Sequence, residues 1–124
     1  GKRSSSWVKV KVRNAIDVNI VGYTKGKGDR EKQFGGLHLA EKEGQKWIYR
    51  GKVGSGFTDN SMTALTKLLK KQRETDKYVT GKIMDEKVST WIKPRLICEV
   101  EYSMITTNGT LRDPVFIKLR EDLI

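Results

Sequence analysis

The stretch KVGSGFTDNSMTALTKLLKKQR, residues 52–73, is where the chain changes from a strand-like to a helix-like pattern. Two closely spaced glycines end the strand-like part. Beyond them, apolar residues recur at the three- and four-residue spacing of a helix with one buried face, and Thr58 or Asp59 can cap its first turn. The pattern therefore predicts one amphipathic helix near residues 59–73. Its apolar positions are Met62, Leu65, Leu68 and Leu69.

Strand-like segments flank this predicted helix on both sides. Three precede it and two follow it, at residues 17–23, 37–40, 47–49, 96–105 and 114–119. Asn108-Gly109 joins the last two, and this dipeptide suits a tight hairpin turn. A helix between the third and fourth strands is typical of the five-stranded OB-fold barrel. We therefore expect that mainly β fold, with residues 7–13 as an extra strand before it and residues 74–90 as a long connection.

The charge balance indicates a polyanionic partner. The 124 residues carry 25 Lys and Arg against 15 Asp and Glu, for a net charge of +10. Phosphates favour clustered cations through counterion release. Residues 1–34 hold nine bases and three acids, so the first third is strongly cationic. Since no apolar run reaches the ~18 residues of a membrane helix and no secretion signal opens the chain, we expect a cytosolic protein.

Lys9 and Lys11 form the most informative pair of cations. They lie on the alternating segment Trp7–Arg13, and two positions along a strand put side chains roughly 7 Å apart on one face. Two ammonium groups at that spacing can flank one phosphate chain. An ordinary solvated strand face has the same pattern, and spacing alone favours it.

Other candidate sites are weaker. Residues 52–57, KVGSGF, suit a flexible turn better than a phosphate loop, because no second strand–helix alternation follows. Residues 22–28 lack the spacing and the hydroxyl of a P-loop. We expect Cys98 to be a buried small hydrophobe and His38 to be a surface or groove residue. No Ser/His/Asp set or metal cluster is evident, so the residues indicate a basic OB-like domain without naming a reaction.

Several phrases of the sequence, taken in order, resemble the C-terminal part of ATP-dependent DNA ligases, especially the bacterial and archaeal DNA ligase D type. They lie at Arg3–Lys11, Gly22–Gly28, Phe34–Leu37, Tyr49–Phe57, Trp91–Pro94 and Pro114–Asp122. Each phrase is weak alone. Their order and spacing cover nearly the whole chain, so the resemblance concerns the chain as a unit.

This resemblance implies two parts. Residues 1–13 are then the tail of the nucleotidyltransferase (adenylation) domain, and residues 14–124 are the OB-fold domain. The tail carries the family's S-x-x-W-x-K-x-K motif, whose lysines contact the nucleotide phosphate. Lys9 and Lys11 fill those two positions.

The same family ends in an R-x-D-K motif that is thought to orient the ATP pyrophosphate. Arg120 and Asp122 match it, with Leu123 in place of the motif's lysine. The chain has no K-x-D-G, the motif whose lysine carries AMP in these ligases. The resemblance implies that the full enzyme uses ATP and a divalent cation such as Mg²⁺, while this chain alone is inactive and binds neither. A fragment of a longer ligase and a free-standing module both fit.

Nicked duplex DNA is the ligand that the resemblance implies, with the adenylation domain and end-joining proteins as further partners in a prokaryotic, nucleoid-associated setting. An exposed glycine-containing loop after the first OB strand can follow a phosphate ridge without reading bases. Two alternatives stay open: a stand-alone single-strand binder that stacks bases on aromatic rings, and the related barrel of an RNA ligase or capping enzyme. The residues that we expect on the DNA backbone are Lys25, Lys27, Arg30, Lys32 and Lys52.

Overall fold

The computed structural model describes residues 13–26, 34–75, 77, 79, 83 and 89–120. Its strands are β1 (Asn14–Lys25), β2 (Phe34–Glu43), β3 (Lys46–Val53), β4 (Ser89–Tyr102), β5 (Met104–Ile105), β6 (Leu111–Arg112) and β7 (Val115–Leu119). A helix, α1, spans Asp59–Lys71 between β3 and β4. Within these described residues, no helix is both long enough and apolar enough to cross a membrane.

Five of the strands form one antiparallel sheet in the order β3-β2-β1-β4-β7. The strands β5 and β6 pair separately. The predicted OB-like architecture is confirmed, because the fold is mainly β and its helix lies between the third and fourth strands. The predicted extra strand at residues 7–13 lies, except for Arg13, outside the described residues.

The helix α1 forms where the local sequence predicts it. The Ser61 N–H donates to Thr58 Oγ1 at 3.1 Å, and the Thr58 N–H donates to Ser61 Oγ at 2.8 Å, which makes a reciprocal capping box. Lys70 and Lys71 in the last turn complement the negative end of the helix dipole. The apolar face of α1 packs into the main core with side chains of β1, β2, β3, β4, β6 and β7. Its buried residues are Met62, Leu65 and Leu69.

A second, smaller core covers the other face of β1 and β2. Residues 36–40 of β2 are all buried, so both faces of that strand are covered. Part of the cover comes from Val79 and Ile83 of the predicted long connection before β4. The buried members are Val21, Ala40, Val79 and Ile83, with Trp47, Tyr49 and Trp91 packed against them.

His38 belongs to this covered face and is fully buried. The prediction that it is a surface or groove residue is wrong. The alternation of β2 does turn it away from Leu37 and Leu39, which lie in the main core. The prediction assumes that the face of β2 opposite the main core is exposed to solvent, whereas that face carries the second core.

The strand β4 bulges where it runs beside β1. One residue of β1, Val21, lies opposite four residues of β4, 92–95, between two pairs of the ladder. Pro94 lies in this bulge, where a missing N–H breaks no regular ladder. Its carbonyl accepts a hydrogen bond from Asn19 Nδ2 at 2.9 Å, so the bulge is anchored to β1.

The start of β4 and the connection from β4 to β7 differ most from the prediction. The strand β4 begins at Ser89 instead of residue 96, because the bulge breaks the alternation on which the prediction depends. The Asn108-Gly109 turn forms, and Gly109 has a φ of +85°. It joins the short strands β5 and β6, so the long β4 and β7 are connected through this small hairpin and not directly.

The segment after β3 contacts β7, so the two edge strands of the sheet are connected by a backbone hydrogen bond. The Phe116 N–H of β7 donates to the Ser55 carbonyl at 2.9 Å. Gly56 has a φ of +93°, and a Cβ on it would lie 2.3 Å from the Phe116 carbonyl oxygen. The glycine in this turn is therefore required by a close backbone contact with β7.

Replacing Gly56 should test this contact. We expect Gly56→Ala to lower the free energy of unfolding by about 2 kcal/mol or more, since it combines a positive φ with a steric clash. Gly54→Ala is the matched control, because its added Cβ would lie 3.6 Å from the Gly35 carbonyl oxygen and meet nothing closer. Urea denaturation of both variants measures the difference, and equal stabilities would refute the role given to Gly56.

Candidate nucleic-acid interface

Two cations from the predicted DNA-binding set lie near the same end of the sheet. Lys25 ends β1 and is exposed, and Lys52 lies next to the last residue of β3. On β2, which runs between these strands, a Cβ on Gly36 would lie 3.1 Å from Lys52 Cγ and Cδ. A Cβ on Gly35 would lie 3.0 Å from the Lys25 carbonyl oxygen. Because Gly35 and Gly36 have no side chain, the end of β1 and the Lys52 side chain of β3 can lie close to β2.

The other predicted members of the interface lie outside the described residues. For the DNA backbone these are Lys27, Arg30 and Lys32, and for the nucleotide they are Lys9, Lys11 and Asp122. Of the predicted set, the structure thus brings Lys25 and Lys52 to one end of the sheet. Arg120 lies apart from them, just after β7.

Arg120 is held by two described partners. Its backbone N–H donates to the Ile97 carbonyl at 2.7 Å, and its Nη1 donates to the two Asp17 carboxylate oxygens at 3.0 and 3.1 Å. A guanidinium binds a phosphate with the same kind of charged hydrogen bond. Both side chains are partly exposed, so this ion pair is worth about 1 kcal/mol or less. Arg120 is therefore held beside Asp17 at the surface by a weak ion pair and by a backbone hydrogen bond to β4.

Arg13 joins the start of β1 to two other elements. Its Nε lies 3.7 Å from Glu101 Oε1 on β4, and its Nη2 donates to the Asp113 carbonyl. Asp113 lies between β6 and β7 and has a φ of +52°. The residue that leads into β1 is therefore fixed against the β4–β7 side of the sheet.

His38 is the centre of a buried polar cluster. Its Nδ1 lies 2.9 Å from Tyr49 Oη, and its Nε2 lies 2.7 Å from Ser89 Oγ. The imidazole also stacks on Trp91, with ring centroids 4.7 Å apart. A Ser–His contact can activate a nucleophile, but this histidine is completely buried and has no exposed face for a substrate. The cluster instead connects β2, β3 and β4 across the second core.

Removing a partner of His38 should destabilise the fold. Tyr49→Phe or Ser89→Ala leaves one buried imidazole nitrogen without that partner, and we expect a loss of about 1–3 kcal/mol in the free energy of unfolding. Ser103→Ala is the control, because this serine is exposed and its Oγ donates to the Arg112 carbonyl at 3.2 Å. Its expected change is within about 0.5 kcal/mol. Thermal or urea unfolding compares the three variants.

Cys98 is fully buried in the main core, as predicted. Burial, with a smaller effect of the nearby Asp17 charge, raises the pKa of its thiol from 9.0 to about 12. The thiol therefore stays protonated at neutral pH and is no nucleophile. Among the described residues, no group of three or more His, Cys, Asp or Glu side chains could hold a metal ion.

The raised pKa predicts a pH dependence of stability. Above pH 9 the unfolded thiol ionises while the folded thiol keeps its proton until about pH 12, so folding loses stability over that window. We expect the difference in unfolding free energy between wild type and Cys98→Ala to fall by up to about 1.4 kcal/mol per pH unit above pH 9. Parallel urea titrations at several pH values measure it, and a pH-independent difference would contradict the assignment.

A basic groove of about 310 Å³ lies between the end of α1 and the β4 bulge. The backbone joins its two walls, because the Lys93 N–H donates to the Arg73 carbonyl at 3.3 Å. The sequence prediction missed this groove, since its two basic pairs are distant in the chain. The only signal in the sequence is that each segment carries two basic residues two positions apart, Lys71 with Arg73 and Lys93 with Arg95. The lining residues are Lys71, Gln72, Arg73, Lys93 and Arg95.

Comparison with known protein families identifies the chain's relatives. Residues 30–123 match the family model described as the ATP-dependent DNA ligase C-terminal region. The chain belongs to this family. The predicted resemblance to the C-terminal part of ATP-dependent DNA ligases is therefore confirmed.

Relatives within the DNA ligases cover almost all of the chain. It is 35% identical to the multifunctional non-homologous end joining protein LigD of Mycolicibacterium smegmatis, over 98% of this chain and 16% of that protein. It is 33% identical to a DNA ligase of Thermococcus fumicolans, over 98% of this chain and 22% of that protein. The chain thus spans less than a quarter of the length of either relative.

Solved ligase structures share the fold. The ligase domain of M. tuberculosis LigD superposes with a TM-score of 0.79 at 28% identity, covering 89% of this chain and 36% of that one. A mycobacterial DNA ligase D complexed with ATP and MES gives a TM-score of 0.73 at 29% identity, over 89% of this chain and 35% of that one. The architecture described above is thus shared with domains of ATP-dependent ligases.

Proposed function

We propose that this chain binds nicked duplex DNA and closes on the adenylation domain as the C-terminal OB-fold domain of an ATP-dependent DNA ligase. Residues 14–124 form that domain, and residues 1–13 are the tail of the adenylation domain. The observation that carries the proposal is the end-to-end match, 35% identity over 98% of the chain, to a LigD protein. The arrangement of five strands with one helix agrees with it.

The nucleotide-facing role belongs to residues at the two ends of the chain. Lys9 and Lys11 contact the nucleotide phosphate, and Arg120 and Asp122 orient the ATP pyrophosphate. The partly exposed Arg120 side chain supports this assignment, because a guanidinium at the surface can bind a phosphate oxygen through charged hydrogen bonds. ATP with a divalent cation supplies the adenylate in the full enzyme, and this domain contributes positioning and charge stabilisation.

DNA binding falls to cations that contact phosphates rather than bases. Lys25 and Lys52, at the same end of the sheet, mark the described part of this surface. Phosphate contacts position a duplex without reading its sequence. Because a relative is named for non-homologous end joining, we propose end-joining proteins as further partners. The loop members of this surface are Lys27, Arg30 and Lys32.

The aromatic side chains count against a stand-alone single-strand binder. Such a protein stacks bases on accessible rings. Among the described residues, every aromatic side chain is at least partly buried. Phe57 stacks on Phe116 with centroids 4.7 Å apart, and Trp91 stacks on His38. The described rings are engaged within the two cores and offer no stacking platform.

Salt-dependent binding tests this proposal. We expect the affinity of the chain for a nicked duplex to fall steeply between 50 and 200 mM salt and to vary little with sequence, because charged phosphate contacts release counterions. Lys25→Gln/Lys52→Gln should reduce the slope of log K against log salt by about 1 to 2. The control Lys42→Gln/Lys46→Gln removes two cations next to the β2–β3 turn, at the other end of these strands.

Three results would overturn the proposal. One is an affinity for nicked duplex that does not change with salt. Another is preferential binding of single strands over nicked duplex, which would favour the single-strand module. Preference for RNA over DNA would favour the barrel of an RNA ligase or capping enzyme.

A further inference from the structure

The groove beside α1 is built from two chain segments that meet at a fixed place. The Gln72 N–H donates to the Leu69 carbonyl and ends α1, and the Lys93 N–H then donates to the Arg73 carbonyl at 3.3 Å. The β4 wall is the bulge at residues 92–95, anchored to β1 through Pro94. The groove walls are thus held by backbone hydrogen bonds rather than by loose loops.

The described lining of this groove has one sign of charge. Among the described residues that line it, Lys71, Arg73, Lys93 and Arg95 are cations and Gln72 is neutral. Within the described part of the chain, none of these four cations forms an ion pair with an acid. Of the other described arginines, Arg13, Arg50 and Arg120 lie within ion-pair distance of a carboxylate, and the exposed Arg112 does not.

Like charges that are held close together repel each other. The dipole of α1 accounts for only part of this cluster of cations. The C-terminal end of α1 favours cations in its last turn, which explains Lys71. Lys93 and Arg95 come from another element, so the helix dipole does not explain their convergence. Glu74 follows Arg73 in the chain but is not part of the lining. The groove therefore keeps an uncompensated positive potential that an anion can satisfy.

We propose that this groove binds a backbone phosphate of duplex DNA, as an anchor separate from the Lys25–Lys52 end of the sheet. The inference rests on the proposed DNA-binding function and adds a contact that it does not contain. Two guanidiniums suit phosphate oxygens through paired charged hydrogen bonds. The Gln72 side-chain amide already donates to the Leu68 carbonyl at 3.2 Å, so the cations carry the recognition. A volume of about 310 Å³ is far larger than the ~30 Å³ share of one water, so a phosphate can enter with part of its hydration.

The described lining favours a backbone phosphate over a nucleotide base. A nucleotide or single-strand site needs a surface on which the base can stack. None of the described lining residues is aromatic. We therefore assign the groove to the phosphate backbone of a duplex, and competition with ATP tests this assignment.

Salt-dependent binding of nicked duplex by Arg73→Gln/Arg95→Gln tests the groove. One phosphate contact is lost, which lowers the slope of log K against log salt by about 0.9. Between 50 and 200 mM salt, the wild type should then lose about 3.5-fold more affinity than the variant. Lys42→Gln/Lys46→Gln, with the same change of charge outside the groove, should keep the wild-type slope.

The outcomes separate this inference from the proposed function. Steep salt dependence in the wild type with an unchanged slope in Arg73→Gln/Arg95→Gln overturns the groove alone. A wild type that shows no salt-dependent duplex binding overturns the proposed function first. If excess ATP displaces DNA from the wild type but not from the variant, the groove is a nucleotide site and the duplex assignment is wrong.

Two additions keep the test decisive. If the double variant unfolds, as judged by its thermal transition, Arg95→Gln alone should show about half of the slope change, because this side chain is exposed. Neutral methylphosphonates placed one at a time along the duplex should weaken wild-type binding at one position without weakening the double variant there. Uniform sensitivity of both proteins at every position would contradict a localised contact.

Discussion

The fold depends on covering both faces of its inner strands. On one face, β1, β2 and β4 pack against α1 in the main core. On the other, Val79 and Ile83 close a second core around the His38 cluster, in which both ring nitrogens have hydroxyl partners. Because residues 36–40 of β2 are buried without a break, neither core can be lost without exposing the sheet. The turn at Gly56 then brings the end of β3 against β7.

A sheet that is covered on both faces leaves its ends, turns and bulges for ligands. The candidate phosphate-binding cations lie at such places: Lys25 and Lys52 at one end of the sheet, the groove between α1 and the β4 bulge, and Arg120 after β7. With a net charge of +10, these places attract phosphates before any specific contact forms. This arrangement suits a domain that grips a duplex by its backbone, while the covalent chemistry occurs on another domain of a ligase.

Sequence patterns predicted what is decided locally. The helix near residues 59–73 was found at Asp59–Lys71, because its apolar spacing and its cap lie within one segment. The burial of His38 was missed, since it depends on a distant connection that folds over β2. The basic groove was missed for a related reason, as the backbone bond between Arg73 and Lys93 joins segments that no local pattern connects. The family resemblance was visible because its phrases span the whole chain in order.

The most direct test of this account is a nitrogen-15 NMR titration of the chain with nicked duplex at low salt. The account predicts that backbone amide signals shift in two places: around Lys25, Gly36 and Lys52, and around residues 71–73 with 93–95. Signals of the β2–β3 turn and of the buried His38 cluster should stay unchanged. Shifts confined to that turn, or a titration that moves neither predicted place, would contradict an interface built from the cations at the edges of a doubly covered sheet.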